Sequence, residues 1–445
     1  MTSALCADWY EITMAAVYIA AGWEPVAVFE LFVRQLPSRR NYLVAAGLAD
    51  ALAYLETWRL TPDELGYLFD QPAMAPLGPA VRERFSRLSF TGQVEAVPEG
   101  TIVFANEPIL RVTAPIVEAQ WLETALLAIV TYQTMVATKA ARLVHAAGRP
   151  VIEFGSRRAP GLAAGGSAAR AAYIGGCIGT SNVEAGRRFG IPIYGTQAHS
   201  WIMAFPSEVD AFAAYARVFP ERPVLLIDTY AVPRGTERAI AAWRTLGGVR
   251  IDSQPLAILA RDVRRRLDRA GLSAAKIVAS GNLDEYQITE LARGKAPIDS
   301  YGVGTALVTS DDAPALNSAY KLVAIRQHEQ LSPVIKLARA KATYPGAKQV
   351  WRRLTPAGRF REDIIGLSDE PRPAWRDIQP LLQTVMKDGR RVAEPERLAV
   401  ISARVADQLT KLPPALHIVT RRSGYRVRYS EALSRVTRQC RREQR

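Results

Sequence analysis

The sequence predicts an α/β protein built on a parallel barrel or an open parallel sheet. Six short apolar runs carry the prediction: VIEFGS from Val151, IPIYGT from Ile191, PVLLIDT from Pro223, GVRID from Gly248, KIVASG from Lys276 and IDSYGVG from Ile298. Each is rich in Val, Ile, Phe or Tyr and reads as a buried strand. Helical patterns fill most of the gaps. Each run also ends in polar residues or glycine: Arg157-Arg158, His199-Ser200, Asp228-Thr229-Tyr230, Asp252-Ser253, Gly281-Asn282, and Gly302-Val303-Gly304-Thr305. In either architecture the loops after parallel strands gather at one face, where ligands bind.

Before this series, AVFELFVRQLP from Ala27 reads as a strand and RNYLVAAGLADALAYLETW from Arg40 as a helix. VEAVPEGTIVFANEPILRV from Val94 reads as short strands joined by Pro and Gly turns. A helical stretch from Glu118 to Ala147 leads into the series. Within it, LAILARDVRRRLDRAG presents Leu256, Leu259, Val263 and Leu267 on one face and arginines on the other, as an outer helix does. The alternation stops near residue 325, and a Pro-rich stretch around Glu370-Pro371-Arg372-Pro373 follows. The expected division is an N-terminal domain over 1–120, joined by 326–445, and a barrel domain over 121–325.

At 445 residues the chain is long enough for two or three domains, and 49% hydrophobic residues allow large cores. The net charge of +14 is partly local: residues 420–445 hold nine arginines and two glutamates. This segment reads as a solvated or frayed basic tail rather than a nucleic-acid or membrane contact, since Tyr425 and Tyr429 alone make a thin stacking platform. Three scattered cysteines, Cys6, Cys177 and Cys440, contain no CxxC pair and indicate neither a zinc site nor a disulfide framework. The N-terminus, with Asp8 and Glu11, lacks a signal-peptide pattern, and the uncharged stretch Ala125 to Thr138 is too short and polar to span a membrane. A cytoplasmic protein is the expectation.

The residues after the strands suggest anionic chemistry. Arginine pairs offer forked donors to phosphate or carboxylate. Glycines let backbone N–H groups close on phosphate. Acidic residues hold sugar hydroxyls or magnesium. A sugar-phosphate or nucleotide site follows.

Longer blocks sharpen this. ADWYEITMAAVY at Ala7, FVRQLPSRRNYLVAAGL at Phe32, EFGSRRA at Glu153, AAYIGGCIGTSNVEAG at Ala171, IPIYGTQAHSW at Ile191, LIDTY at Leu226, ASGNLDEY at Ala279, DSYGVGT at Asp299 and PGAKQVWR at Pro345 resemble the nicotinate phosphoribosyltransferase family. The resemblance runs from Ala7 to Arg352 and is weak beyond. It implies an irregular parallel α/β barrel of the type II phosphoribosyltransferase kind, with a second α/β domain formed by the N- and C-terminal portions. It implies formation of nicotinate mononucleotide and pyrophosphate from nicotinate and phosphoribosyl pyrophosphate, with Mg2+ and ATP coupling, in a homodimer with shared sites.

The resemblance also assigns residues. Tyr10 matches the aromatic that stacks on the pyridine from the partner subunit, and Phe154 the opposite face. By residue type alone, both fit a core equally well. Arg157 matches an arginine that reaches the substrate's charged end or its phosphate. Arg250, Asp252 and Ser253 match a ribose-phosphate loop. Gly281, Gly302, Gly304 and Thr305 match phosphate-binding turns, although a lone GxG is weak evidence. Ser181 falls where related enzymes acting on nicotinamide carry an aspartate; the bland alternative is a helix cap. His199 is one of four histidines. A lone histidine is usually structural, but its YGTQAHSW setting matches the family's phosphohistidine block. No metal ligand is assigned.

Two departures stand out. IDSQPL, Ile251 to Leu256, replaces the family's common IDSGDL, and Asn282 stands where an acidic residue is common. Both remove negative charge, which Asp252 and Asp284 are expected to supply. The alternatives are a different ring acid or amide as substrate, or a non-catalytic nucleotide-binding paralogue.

Overall fold

The computed structural model describes residues 3–327, 330–337 and 343–443. It divides into two compact units, Met1–Met135 with Ala315–Arg445, and Val136–Pro314. The first boundary falls inside one continuous helix, Glu123–Ala147. The second unit is therefore narrower than the 121–325 read from the sequence.

The second unit carries the parallel strands β1 (Val151–Glu153), β2 (Gly179–Thr180), β3 (Val224–Leu226), β4 (Gly248–Ile251), β5 (Lys276–Ala279) and β6 (Ser300–Val303). Their order in the sheet is β2-β1-β6-β5-β4-β3, all parallel. The helices between them are amphipathic for a physical reason. On Leu256–Arg269, Leu256, Ala260, Val263 and Leu267 are buried, while Arg264 and Arg266 pair with Asp268 and Asp262 one turn away on the outer side.

Five of the six apolar runs are strands. IPIYGT is not. Ile193 and Tyr194 are 53% and 39% exposed, and Pro192 has no N–H to give to a ladder. The segment makes a single bridge, Thr180 to Ile193. The second strand lies earlier, at Gly179–Thr180.

The first unit is built on a seven-stranded sheet. Val26–Val33 lies between Ser318–Gln327 and Pro108–Pro115, antiparallel to both, so N- and C-terminal portions share one sheet. A four-stranded sheet holds Lys348–Leu354 and Phe360–Leu367. The helix expected from Arg40 begins only at Leu48. Leu43–Val44 pairs with Val103–Ile102, and Gly47 turns the chain at φ +97°. That apolar run is buried on all sides, so its periodicity did not separate strand from helix.

The basic C-terminus is not frayed. Val427–Tyr429 pairs with Phe360–Leu367, and helix Glu431–Glu443 buries Leu433, Thr437 and Cys440. Tyr425 stacks on Phe104 at 3.8 Å and Tyr429 on Tyr344 at 4.1 Å, so both rings serve packing. Gln444 and Arg445 lie outside the described residues. Among the described residues, no helix is long and apolar enough to cross a membrane.

Candidate active site

A cavity of about 520 Å³ opens at the carboxyl ends of the parallel strands. Phe154, Arg157, Ser181, His199, Arg250 and Asp252 line it together with Ser156, Gly195, Thr196, Gln197, Ala198 and Leu226. Six sequence-predicted residues thus meet in one place.

The β1 and β2 loops are tied by a carboxylate that sequence reasoning missed. Glu153 is fully buried and accepts from the Gly155 N–H and the Thr180 hydroxyl. Burial pushes its carboxyl up against the pull of those hydrogen bonds. The link holds Phe154 and Ser181 on neighbouring strand ends. Gly302 makes room for Phe154: a Cβ there would lie 2.4 Å from the ring. Asn182, not Ser181, caps the next helix, accepting from the Ala185 N–H at 2.8 Å. Ser181 is half-buried on the cavity wall. Asn182 Nδ2 also donates to Ser156 Oγ at 3.0 Å.

Arg250, on β4, is anchored on several sides. Its Nε donates to Ser280 Oγ at 2.9 Å, and Nη1 donates to Thr196 Oγ1 at 2.9 Å and Gln197 O at 3.3 Å. Its guanidinium lies 5.9 Å from the Phe154 ring centre. Asp252 accepts from Ser280 Oγ at 2.5 Å and pairs with Arg250 at 3.3 Å. Burial pushes its carboxyl up, but the Ser280 hydroxyl and the Arg250 guanidinium outweigh burial and hold it below the usual carboxylate range. By contrast, Arg157 and Arg158 lie exposed on the short turn Ser156–Arg158.

His199 opens a short helix after the irregular segment. Its Nδ1 lies 3.2 Å from Thr229 Oγ1. Its Nε2 faces two carboxylates, Asp252 Oδ2 at 3.8 Å and Asp228 Oδ1 at 4.0 Å. Asp228 is nearly inaccessible. Its Oδ2 accepts from the Asp252 N–H at 2.7 Å and Ser253 Oγ at 2.6 Å, whereas its Oδ1 is buried without a hydrogen-bond partner. Asp228 and Thr229 were signalled in the sequence by their place after the apolar run PVLLIDT and by the LIDTY block, but neither signal gave them a role.

The remaining predicted residues do not line the cavity. Ser253 turns to Asp228. Gly281, at φ +96°, lets the chain pass Asp252: a Cβ would lie 2.4 Å from its carbonyl oxygen. Gly304 and Thr305 begin the short helix Thr305–Val308. Tyr10 belongs to the first unit, on helix Trp9–Ala20, and the residue is 46% exposed. Asp284, expected to compensate for Asn282, caps helix Glu285–Arg293 by accepting from the Tyr286 and Gln287 N–H groups. Gln254 does similar work, accepting from the Leu256 N–H at 3.1 Å.

Among the described residues, no group of three or more His, Cys, Asp or Glu side chains is arranged so that it could hold a metal ion, the His199, Asp228 and Asp252 cluster included. The orphaned Asp228 Oδ1 and the ionised Asp252 supply hard oxygen donors. That set suits Mg2+ arriving with a diphosphate rather than a resident metal cage.

Family models for the nicotinate phosphoribosyltransferase (NAPRTase) N-terminal domain, the family itself and its C-terminal domain match residues 5–131, 150–246 and 374–437. The chain is 44% identical over 422 residues to a nicotinate phosphoribosyltransferase of Mycobacterium tuberculosis, covering 93% of this chain and 88% of that protein. It is 45% identical over 379 residues to the Bacillus subtilis nicotinate phosphoribosyltransferase, covering 82% and 76%. The crystal structure of human nicotinic acid phosphoribosyltransferase superposes with a TM-score of 0.86 at 30% identity, covering 97% of this chain and 99% of that one. The cavity residues and these likenesses agree: the chain belongs to the nicotinate phosphoribosyltransferase family.

Proposed function

We propose that this protein transfers the phosphoribosyl group of phosphoribosyl pyrophosphate to nicotinate, giving nicotinate mononucleotide and pyrophosphate, with ATP hydrolysis coupled through His199. The observation that carries the reading is the joint lining of one cavity by Phe154, Arg157, Ser181, His199, Arg250 and Asp252 in a chain of this family. Phe154 offers a flat face to the pyridine ring. Arg157 and the Ser181 hydroxyl suit a carboxylate, with charge from one and a donated proton from the other. Asp252, ionised and held by Ser280 and Arg250, suits the ribose hydroxyls. The fixed Arg250 charge favours the anionic end of the donor as its bond to C1 breaks. Mg2+ held by Asp228 and Asp252 would neutralise the departing diphosphate. Neutral imidazole at His199 is a nucleophile for the γ-phosphate of ATP.

Tyr10 is read as the second aromatic face, given to the site of a partner subunit in a homodimer. Its exposure, shared with Trp9 at 44%, supports that reading. The deciding experiment is a product assay with nicotinate, phosphoribosyl pyrophosphate and Mg2+, with and without ATP, run beside a panel of other pyridine acids and amides. Nicotinate mononucleotide formed faster with ATP is expected. Turnover of another ring acid in preference, or ligand binding without any product, would overturn the reading.

A further inference from the structure

The segment 191–198 has a strand on each side and pairs with the two differently. Toward β2, the Thr180 N–H donates to Pro192 O at 3.0 Å, and the Tyr194 N–H donates to Thr180 O at 2.9 Å. These are ordinary backbone rungs. Toward β3 the rungs come from a side chain. Gln197 Nε2 donates to Val224 O at 3.0 Å, and its Oε1 accepts from the Leu226 N–H at 3.0 Å. Strand β3 is the edge of the sheet, and these are two of the backbone groups it turns away from β4. An unpaired edge here would leave buried backbone groups unsatisfied. One primary amide satisfies both, and Gln197 is only 5% exposed.

We infer that Gln197 is a positioning residue: its amide acts as the rung that joins the two open edges of the sheet through segment 191–198, and it thereby places His199 and Arg250. His199 lies two residues beyond Gln197, and its ring nitrogen meets Thr229, on the loop that leaves β3. The Gln197 carbonyl and the Thr196 hydroxyl both accept from Arg250 Nη1. The nucleophile and the fixed cation are thus referred to one amide. This explains an irregularity that the apolar pattern conceals: IPIYGT looks like a strand because it occupies a strand's place, but its link to β3 is made by a side chain.

The inference deepens the proposed function, and the experiment separates the two. Protein carrying 15N-histidine is compared with His199→Ala to identify the His199 ring signals. In the parent, the Thr229 contact should favour one tautomer and keep the two nitrogen shifts apart. Gln197→Ala removes both rungs. Gln197→Glu keeps the size and the acceptor but loses the donor. In each folded variant the two shifts should move toward each other, and labelling from γ-labelled ATP should slow at least tenfold. Unchanged His199 shifts in Gln197→Glu overturn the inference, even where the melting temperature falls, since Gln197 would then only support the fold. A parent protein that takes no label overturns the phosphoryl role of His199, while the ring shifts still decide the role of Gln197.

Discussion

The two arginine-bearing edges of the cavity are built in opposite ways. Arg250 is locked before any ligand arrives, by Ser280, Thr196, Gln197 and Asp252. Arg157 and Arg158 stand exposed on a short turn, with no ion pair among the described residues. A locked charge is preorganised and loses little freedom when the transition state forms. An exposed charge adapts, and its worth is set by the ligand that covers it. On the proposed function, the locked edge would serve the chemistry common to every turnover and the free edge recognition of the ring acid.

The sharpest break of this comparison is at the locked edge's nucleophile. His199→Ala should abolish the acid-labile, base-stable label taken from γ-labelled ATP, while leaving slow ATP-independent product formation. Label retained in that variant would place the phosphoryl group elsewhere. Next in size is the contrast between the arginines. Arg250→Ala should lower kcat/KM by about 100-fold or more, mainly through kcat, because a preorganised donor and the partner of Asp252 are lost together. Arg157→Ala should cost about tenfold and act mainly on the KM for nicotinate. Equal effects on the same constant would erase the distinction drawn here.

Ser181→Asp sharpens the recognition side. A second carboxylate near the ring acid should lower kcat/KM for nicotinate by about tenfold or more and for nicotinamide much less. Asn182 already caps the helix that follows, so a loss shared equally by both substrates would point to other residues for the choice of acid.

A smaller effect concerns Asp252. Its folded-state pKa is depressed, so the stability it contributes is present above the unfolded value and is lost as pH falls through the folded one. Ser280→Ala removes the hydrogen bond that does most to lower it and should raise that pKa. The variant should therefore unfold at lower urea than the parent at pH 7, and the gap should shrink as pH falls below the ordinary carboxylate range. A gap independent of pH would mean that Ser280 acts through packing alone. Smallest is the restoration of Gly and Asp at Gln254 and Pro255. A rise of a few fold in affinity for phosphoribosyl pyrophosphate is expected, offset by about 0.5–1 kcal/mol of stability as the Gln254 bond to the Leu256 N–H is lost. Kinetic constants that all stay unchanged would make the departure neutral.

The alternation of short apolar runs with amphipathic helices determined the parallel sheet, because strands buried on both faces need that composition whatever surrounds them. The motif blocks determined the family and brought six cavity residues to attention. Other features rest on contacts between residues far apart in sequence. No local pattern distinguishes a strand from an extended segment whose link to β3 is one glutamine side chain. Nor does a GxG pattern reveal that Gly302 is there to clear the Phe154 ring. The arginine-rich tail reads as solvated by composition, yet Leu433 and Cys440 bury one face of its helix against a core the composition does not show. Asp284 and Asp228 are alike in type, but one caps a helix and the other points an unpartnered oxygen toward His199. Residue type and spacing thus decided what could bind. Tertiary structure decided which charges are locked and which are left to the ligand, because a side chain is fixed only by partners that the folded chain brings to it.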